Sequence, residues 1–103
     1  MSNILVVDED MKELAIEYLE TRKQEIGALE ESLSKNDLST IATTAHKMKG
    51  VAESYGFPEL TRLGSEMEKA AKAQSYELTQ KILNEIKLYI FTVELKFDRI
   101  EAA

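Results

Sequence analysis

The residues able to do chemistry gather in one short phrase, Ala45-His46-Lys47-Met48-Lys49-Gly50, which carries the only histidine of the 103-residue chain. At 100° per residue the stretch from Leu38 to Tyr55 has two faces. Leu38, Ile41, Ala45, Met48 and Ala52 recur as one apolar stripe, and His46 points well away from its centre. Ser39, Thr43, Gly50 and Glu53 share the side of the imidazole, because they lie three, four or seven positions from it. An imidazole on the solvent side of a helix is open to a partner. Lys49, three residues on, can bring an ammonium to an anion attached to the ring. A glycine inside a helix costs roughly 1 kcal/mol relative to alanine. Gly50 falls one turn after the histidine on the same face, where bare backbone gives a neighbour room to approach.

The elements that must position this phrase can be read from the rest of the chain. The length is that of one domain with a single apolar core. Hydrophobic residues make up 44% and charged residues 31%, an ordinary globular profile. One proline and four glycines are too few for a turn-rich all-β protein. Nineteen acidic against thirteen basic residues, a net charge of −6, oppose nonspecific binding to nucleic acid or anionic membrane and suit a protein partner with a basic rim. The absence of cysteine excludes disulfides and thiolate metal sites. No apolar run approaches the ~20 residues of a membrane span. Ile4-Leu5-Val6-Val7 is too short for a signal peptide and lacks a basic leader, so a cytoplasmic setting is expected.

Four amphipathic helices are expected. Asp10-Met11-Lys12-Glu13 has the form of a capping box and sets the first helix from Asp10 to about residue 34. Met11, Leu14, Ala15, Tyr18, Leu19, Ile26, Leu29 and Leu33 form its stripe, interrupted by Arg22. Asn36 or Asp37 caps the His46 helix, which runs to about Tyr55. Gly56-Phe57-Pro58 ends that helix and begins the third. Phe57, Leu60, Leu63, Met67, Ala70 and Ala71 are its apolar positions, and Gly64 suggests a close helix contact. Glu66, Glu68 and Lys69 read as a solvated face. Ser75 is a candidate cap for the last helix, expected to run to roughly residue 97 on Leu78, Ile82, Ile86, Tyr89, Val93 and Phe97. Leu83 and Ile90 widen its apolar surface, either against the N-terminal residues or for weak self-association. Glu101-Ala102-Ala103 reads as a frayed end.

Residues 3–8 resemble the opening strand of receiver domains, but the chain beyond them is helical almost throughout, so Ile4 to Val7 are read as a short extended lead-in packed on the helices. The fold expected is all-α, one domain over residues 1–103, an antiparallel up-and-down four-helix bundle with its core at about 10–97.

The phrase around His46 resembles the signature of histidine-containing phosphotransfer (HPt) domains: His46, an apolar Met48, Lys49, Gly50 and a second glycine, Gly56, six positions later. Gly56-Phe57-Pro58-Glu59-Leu60 and Leu63-Gly64 are similar to bacterial members. Val51 stands where many members have Ser or Ala, and the helical phase places it off both the His46 face and the apolar stripe.

The resemblance implies that His46 accepts a phosphoryl group from the aspartyl phosphate of a receiver domain and passes it to another receiver's aspartate. Lys49 would screen the charge of phosphohistidine, and Gly50 would admit the rim of the partner's site. The partners implied are receiver domains of response regulators or hybrid histidine kinases, met by a monomer. No cofactor is expected on this chain, Mg²⁺ being supplied by the receiver. The chain has no phosphate-cradling glycine loop of the Walker or kinase kind, so no ATP-dependent kinase activity is expected. Lys47 is read as a solvated lysine or a steering rim charge. The competing readings are a helical module that binds receiver or kinase domains without being phosphorylated, and a metal enzyme. The latter would need Glu-x-x-His pairs, whereas Thr43 stands three before His46.

Overall fold

The computed structural model describes residues 3–99, so the expected frayed end at Glu101–Ala103 lies outside the described residues. Four helices succeed one another: α1 (Lys12–Ser34), α2 (Leu38–Ser54), α3 (Pro58–Lys72) and α4 (Tyr76–Thr92). They are flanked by two five-residue strands, β1 (Ile4–Asp8) and β2 (Glu94–Asp98). The molecule is elongated, 44 × 24 × 23 Å.

Each helix end has a local cause. The Asp37 side chain accepts a hydrogen bond from the Thr40 backbone N–H at 3.2 Å and from its hydroxyl at 2.6 Å, starting α2. The Thr40 bonds hold the Asp37 carboxyl below its usual range. Pro58 opens α3, where its missing N–H is harmless. All three connections between helices pass through one left-handed residue, Asn36, Gly56 and Gln74, at φ 56°, 77° and 59°. In each, the next residue's N–H reaches back five positions (Asp37 to Ser32, Phe57 to Ala52, Ser75 to Ala70) and satisfies a carbonyl of the ending helix. Three tight connections of this kind need no long loops.

The core is the set of stripes turned inwards. Ile41, Ala45, Met48 and Ala52 of α2 meet Leu60, Leu63 and Met67 of α3, with Leu29 of α1 and Ile86 of α4 also buried. Phe57, at the entry to α3, is fully buried, 5.3 Å from the Tyr18 ring. Leu83 and Ile90 are buried core residues and not surplus surface, whereas Leu78, assigned to the stripe, is exposed.

Two expectations at the ends need correction. The first helix does not start at Asp10 through a capping box. Asp8 accepts the Asp10 N–H at 3.0 Å, Glu9–Met11 form a 3₁₀ turn, and α1 begins at Lys12 with no side-chain cap. Nor does α4 reach residue 97. α4 stops at Thr92, and Glu94–Asp98 pair in parallel with Ile4–Asp8, in the register Ile4 to Glu94 through Asp8 to Asp98. Residues 93–98 alternate apolar and charged, a period of two that suits a strand with one face down. Leu95 and Phe97 pack on the core beside Leu5, and Val7 is buried. The lead-in is therefore half of a two-stranded sheet that lies against the helices.

Candidate functional site

α2 holds His46 outward because Ala45 and Met48, its neighbours on either side of the ring's face, are drawn into the core. From below, the buried Tyr18 hydroxyl donates to the Met48 carbonyl at 3.2 Å, tying α2 to α1. α3 supports the same helix from the side. A Cβ placed on Gly64 would sit 3.2 Å from the Lys49 nitrogen and 3.3 Å from the Ala45 carbonyl oxygen, so the two backbones are nearly in contact there. One turn further along α3 stands Glu68, and one turn further again Lys72.

That close approach brings Glu68 to the imidazole. The His46 side chain is 66% exposed, while that of Glu68 is 10% exposed. His46 Nδ1 lies 3.0 Å from Glu68 Oε2. The same oxygen receives Lys72 Nζ at 2.9 Å, and Glu68 Oε1 receives Lys49 Nζ at 3.3 Å. Three nitrogens thus surround one carboxylate. Its pKa falls from the usual 4.5 to about 2, chiefly through the Lys72 hydrogen bond, against the opposing pull of desolvation, with Lys49 and the charge of His46 adding to the fall. A nearly buried carboxylate is tolerable only when paired in this way.

The structure brings His46, Lys49 and Gly50 together on one surface, as their spacing predicts. Gly50 is open: nothing lies within 4 Å of where its Cβ would stand. Lys49 is half-buried and already engaged with Glu68, so its ammonium is held near the ring and not swinging in solvent. Lys47 is exposed. The ring stands between two shallow hollows. One, on the α3 side, is lined by Thr43, Glu68 and Lys72; the other is lined by Gly50, Val51, Ser54 and Tyr55. Val51 and Tyr55 therefore line a hollow that also borders the imidazole. A larger hollow lies between α3 and α4, around Arg62, Glu66, Leu78 and Ile82, and contains none of these residues.

Glu68 is the residue that sequence reasoning misses, because its charge places it on a solvated face. The correction has a simple cause. Gly64 marks where α3 touches α2, and a residue four positions later on α3 lies on the same face. Glu68 therefore belongs to the seam, beside Met67 and Ala71, both buried. Lys72, four further on, carries no signal of its own either. The signal in the chain is the pair of glycine contact and i+4 spacing, but the partner helix cannot be known from the sequence alone.

Chemically the arrangement is an accessible imidazole anchored through one nitrogen, with cations close by and an open flank. Nε2 has no bonded partner among the described residues. Such a ring can act as a nucleophile towards an anionic group brought by another protein. Among the described residues no helix is long and apolar enough to cross a membrane. Comparison with known families gives one match, the Hpt domain, over residues 13–103. Comparison with curated proteins and with solved structures gives no significant match.

Proposed function

The chain belongs to the Hpt domain family, whose members carry phosphoryl groups on histidine in two-component phosphorelays, and from that premise we propose that His46 is the phosphoacceptor. In this reading it takes a phosphoryl group from the aspartyl phosphate of one receiver domain and delivers it to the aspartate of another. The observation that carries the reading is the exposure of the His46 ring beside the bare backbone of Gly50. A receiver's acidic pocket needs both.

Lys49 is assigned to screening the charge of phosphohistidine, and Gly50 to admitting the receiver's rim. Hpt domains interact with receiver or kinase domains, and the partner here is assigned as a receiver of a response regulator or hybrid kinase. Mg²⁺ belongs with that partner. Among the described residues the one carboxylate paired with His46 is already shared by two ammonium groups and an imidazole, a donor set that repels a divalent cation. The reading also carries a cytoplasmic monomer, without ATP-dependent kinase activity, whose four helices run antiparallel, up and down. The contacts that step back along α2 as α3 advances, Lys49 with Gly64 and then His46 with Glu68, support that course.

The test is incubation with phosphorylated receivers, then a search for acid-labile, base-stable phosphate. Label on the wild type and none on His46→Gln is the expected result. Receiver binding with no transferred label would replace this reading by that of a docking module that is not phosphorylated.

A further inference from the structure

We infer that the hollow between α3 and α4 is a second docking surface, which takes an amphipathic helix of a partner protein presenting an apolar edge, a carboxylate and, one turn on, a cation. It shares no residue with the two hollows beside His46, and it does not rest on the role of that histidine.

The hollow, about 620 Å³, is built on small and aliphatic side chains. Ala70 and Ile82 form its buried floor, and Ala73 and Leu78 its exposed end beside the turn. Leu78 is 47% exposed, although helical phase assigns it to the core stripe of α4. Arg62, Glu66, Lys69 and Ala73 recur at steps of four, three and four, and Leu78, Ile82 and Glu85 at steps of four and three. Two neighbouring helices that each turn a row of this spacing towards one groove offer the holes that a third helix fills with its own side chains. The row from Arg62 to Ala73 extends about 17 Å, three helical turns. It lies on the opposite flank of α3 from Gly64, Glu68 and Lys72, so a partner can hold the domain here while His46 stays open.

The charges along the groove select the helix. α3 and α4 leave the left-handed turn at Gln74 side by side. Burial raises the pKa of the Tyr89 hydroxyl, and Glu59, at the far end of α3, raises it further, as that course requires. Lys69 and Lys81 stand six residues either side of Ser75 and so flank the groove at one level. Glu66 and Glu85 flank it about one turn farther from Gln74. Like charges thus face each other across an apolar floor, which favours nothing within the chain. Arg62 answers Glu66 at 3.1 Å. Lys69, Lys81 and Glu85 have no ion-pair partner among the described residues. On a chain of net −6, two unengaged ammonium groups over aliphatic side chains suit an incoming carboxylate. Glu85 suits a cation one turn beyond it. The order apolar, basic, acidic along the groove therefore sets both the register and the direction of the docked helix.

The probe is a synthetic lactam-bridged helix of about three turns. Its leucines face the floor, a glutamate stands at the level of Lys69 and Lys81, and a lysine at the level of Glu85. A control peptide exchanges that glutamate and lysine, keeping composition and net charge. Titration of the ¹⁵N-labelled protein should shift amides of residues 66–73 and 78–85 and leave those of 43–50 in place. The control should bind about fivefold or more weakly, and the double variant Lys69→Glu, Lys81→Glu should weaken the first peptide by about tenfold, an effect that shrinks as salt is raised. Leu78→Ser, at a half-exposed position, should keep the helical circular dichroism and weaken both peptides. Transfer from a phosphorylated receiver to His46 should run at the wild-type rate in these variants, and in the wild type with the peptide bound. Equal affinity for the two peptides, shifts centred on His46, transfer slowed by the bound peptide, or no binding overturns the inference. So does another occupant: a wild type that sediments as a dimer until Leu78→Ser separates it, or that binds phosphatidylglycerol vesicles through the two lysines.

Discussion

Two glycines sit inside neighbouring helices, Gly50 in α2 and Gly64 in α3, and replacing each by alanine should move stability in opposite directions. Alanine gains roughly 0.4–1 kcal/mol over glycine wherever the backbone conformation suits both. At Gly50 that gain stands alone, because the new methyl meets nothing within 4 Å. At Gly64 the methyl would lie 3.2–3.3 Å from the Lys49 nitrogen, the Ala45 carbonyl oxygen and the Lys49 Cα. All three are backbone atoms, so no side chain can swing aside, and α2 and α3 must part by a few tenths of an ångström. Overpacking of this kind costs about 1–3 kcal/mol. Gly50→Ala should therefore stabilise by about 0.4–1 kcal/mol, and Gly64→Ala should destabilise by up to about 2 kcal/mol after its helix gain is offset. For a domain of this size 1 kcal/mol corresponds to roughly 4–8 °C in Tm. Urea unfolding monitored by circular dichroism, with Tm measured in parallel, reads both. A Gly64→Ala protein as stable as Gly50→Ala would refute the close approach of α2 and α3, and with it the reason Glu68 reaches His46.

The same geometry predicts three further outcomes. Gly50→Leu should unfold at a denaturant concentration close to the wild type, since the position is open, yet slow transfer from a receiver; unchanged transfer kinetics would remove the steric role of Gly50. Lys49→Ala should keep the fold and lower the yield or lifetime of phosphohistidine, measured by retained label over time, and equal decay curves would count against charge screening. Glu68 makes stability depend on acid. Its folded-state pKa of about 2 lies below the ordinary 4.5, so its contribution is complete above about pH 4.5 and fades as pH falls through that window towards 2. The stability advantage of the wild type over Glu68→Gln, measured by urea unfolding at several pH values, should shrink across that interval. A constant difference would show that the lysine bonds are not formed in solution.

Much of the site is legible in the sequence because helical phase is a strong signal. The stripe of Leu38, Ile41, Ala45, Met48 and Ala52 fixes which way His46 faces, and all five stripe residues are buried. Gly56 is readable as a helix end because a left-handed residue there favours glycine, but Asn36 and Gln74 take the same conformation without announcing it. Glu68 is hidden for a different reason. Its polarity argues for solvent, and only the cations of other turns and another helix make its burial tolerable. The end of α4 is hidden by a coincidence of periods. Ile86, Tyr89, Val93 and Phe97 fit a helix, while Val93, Leu95 and Phe97 fit a strand equally well. The strand prevails because Glu94–Asp98 find Ile4–Asp8 to pair with, a partner almost the whole chain away.

That pairing has a kinetic meaning. Residues joined across the two strands are ninety positions apart, from Ile4 to Glu94. Closing a flexible loop of that length from an unfolded chain carries an entropic penalty of about 4 kcal/mol in its length-dependent part. Five residue pairs at the margin of the molecule are poorly placed to meet it early. Once the helices have docked, the two ends are already near each other and the penalty has largely been met by the core. The sheet should accordingly zip last during folding and open first under mild stress, with amide protons in Leu5–Val7 and Leu95–Phe97 exchanging well before those beneath His46.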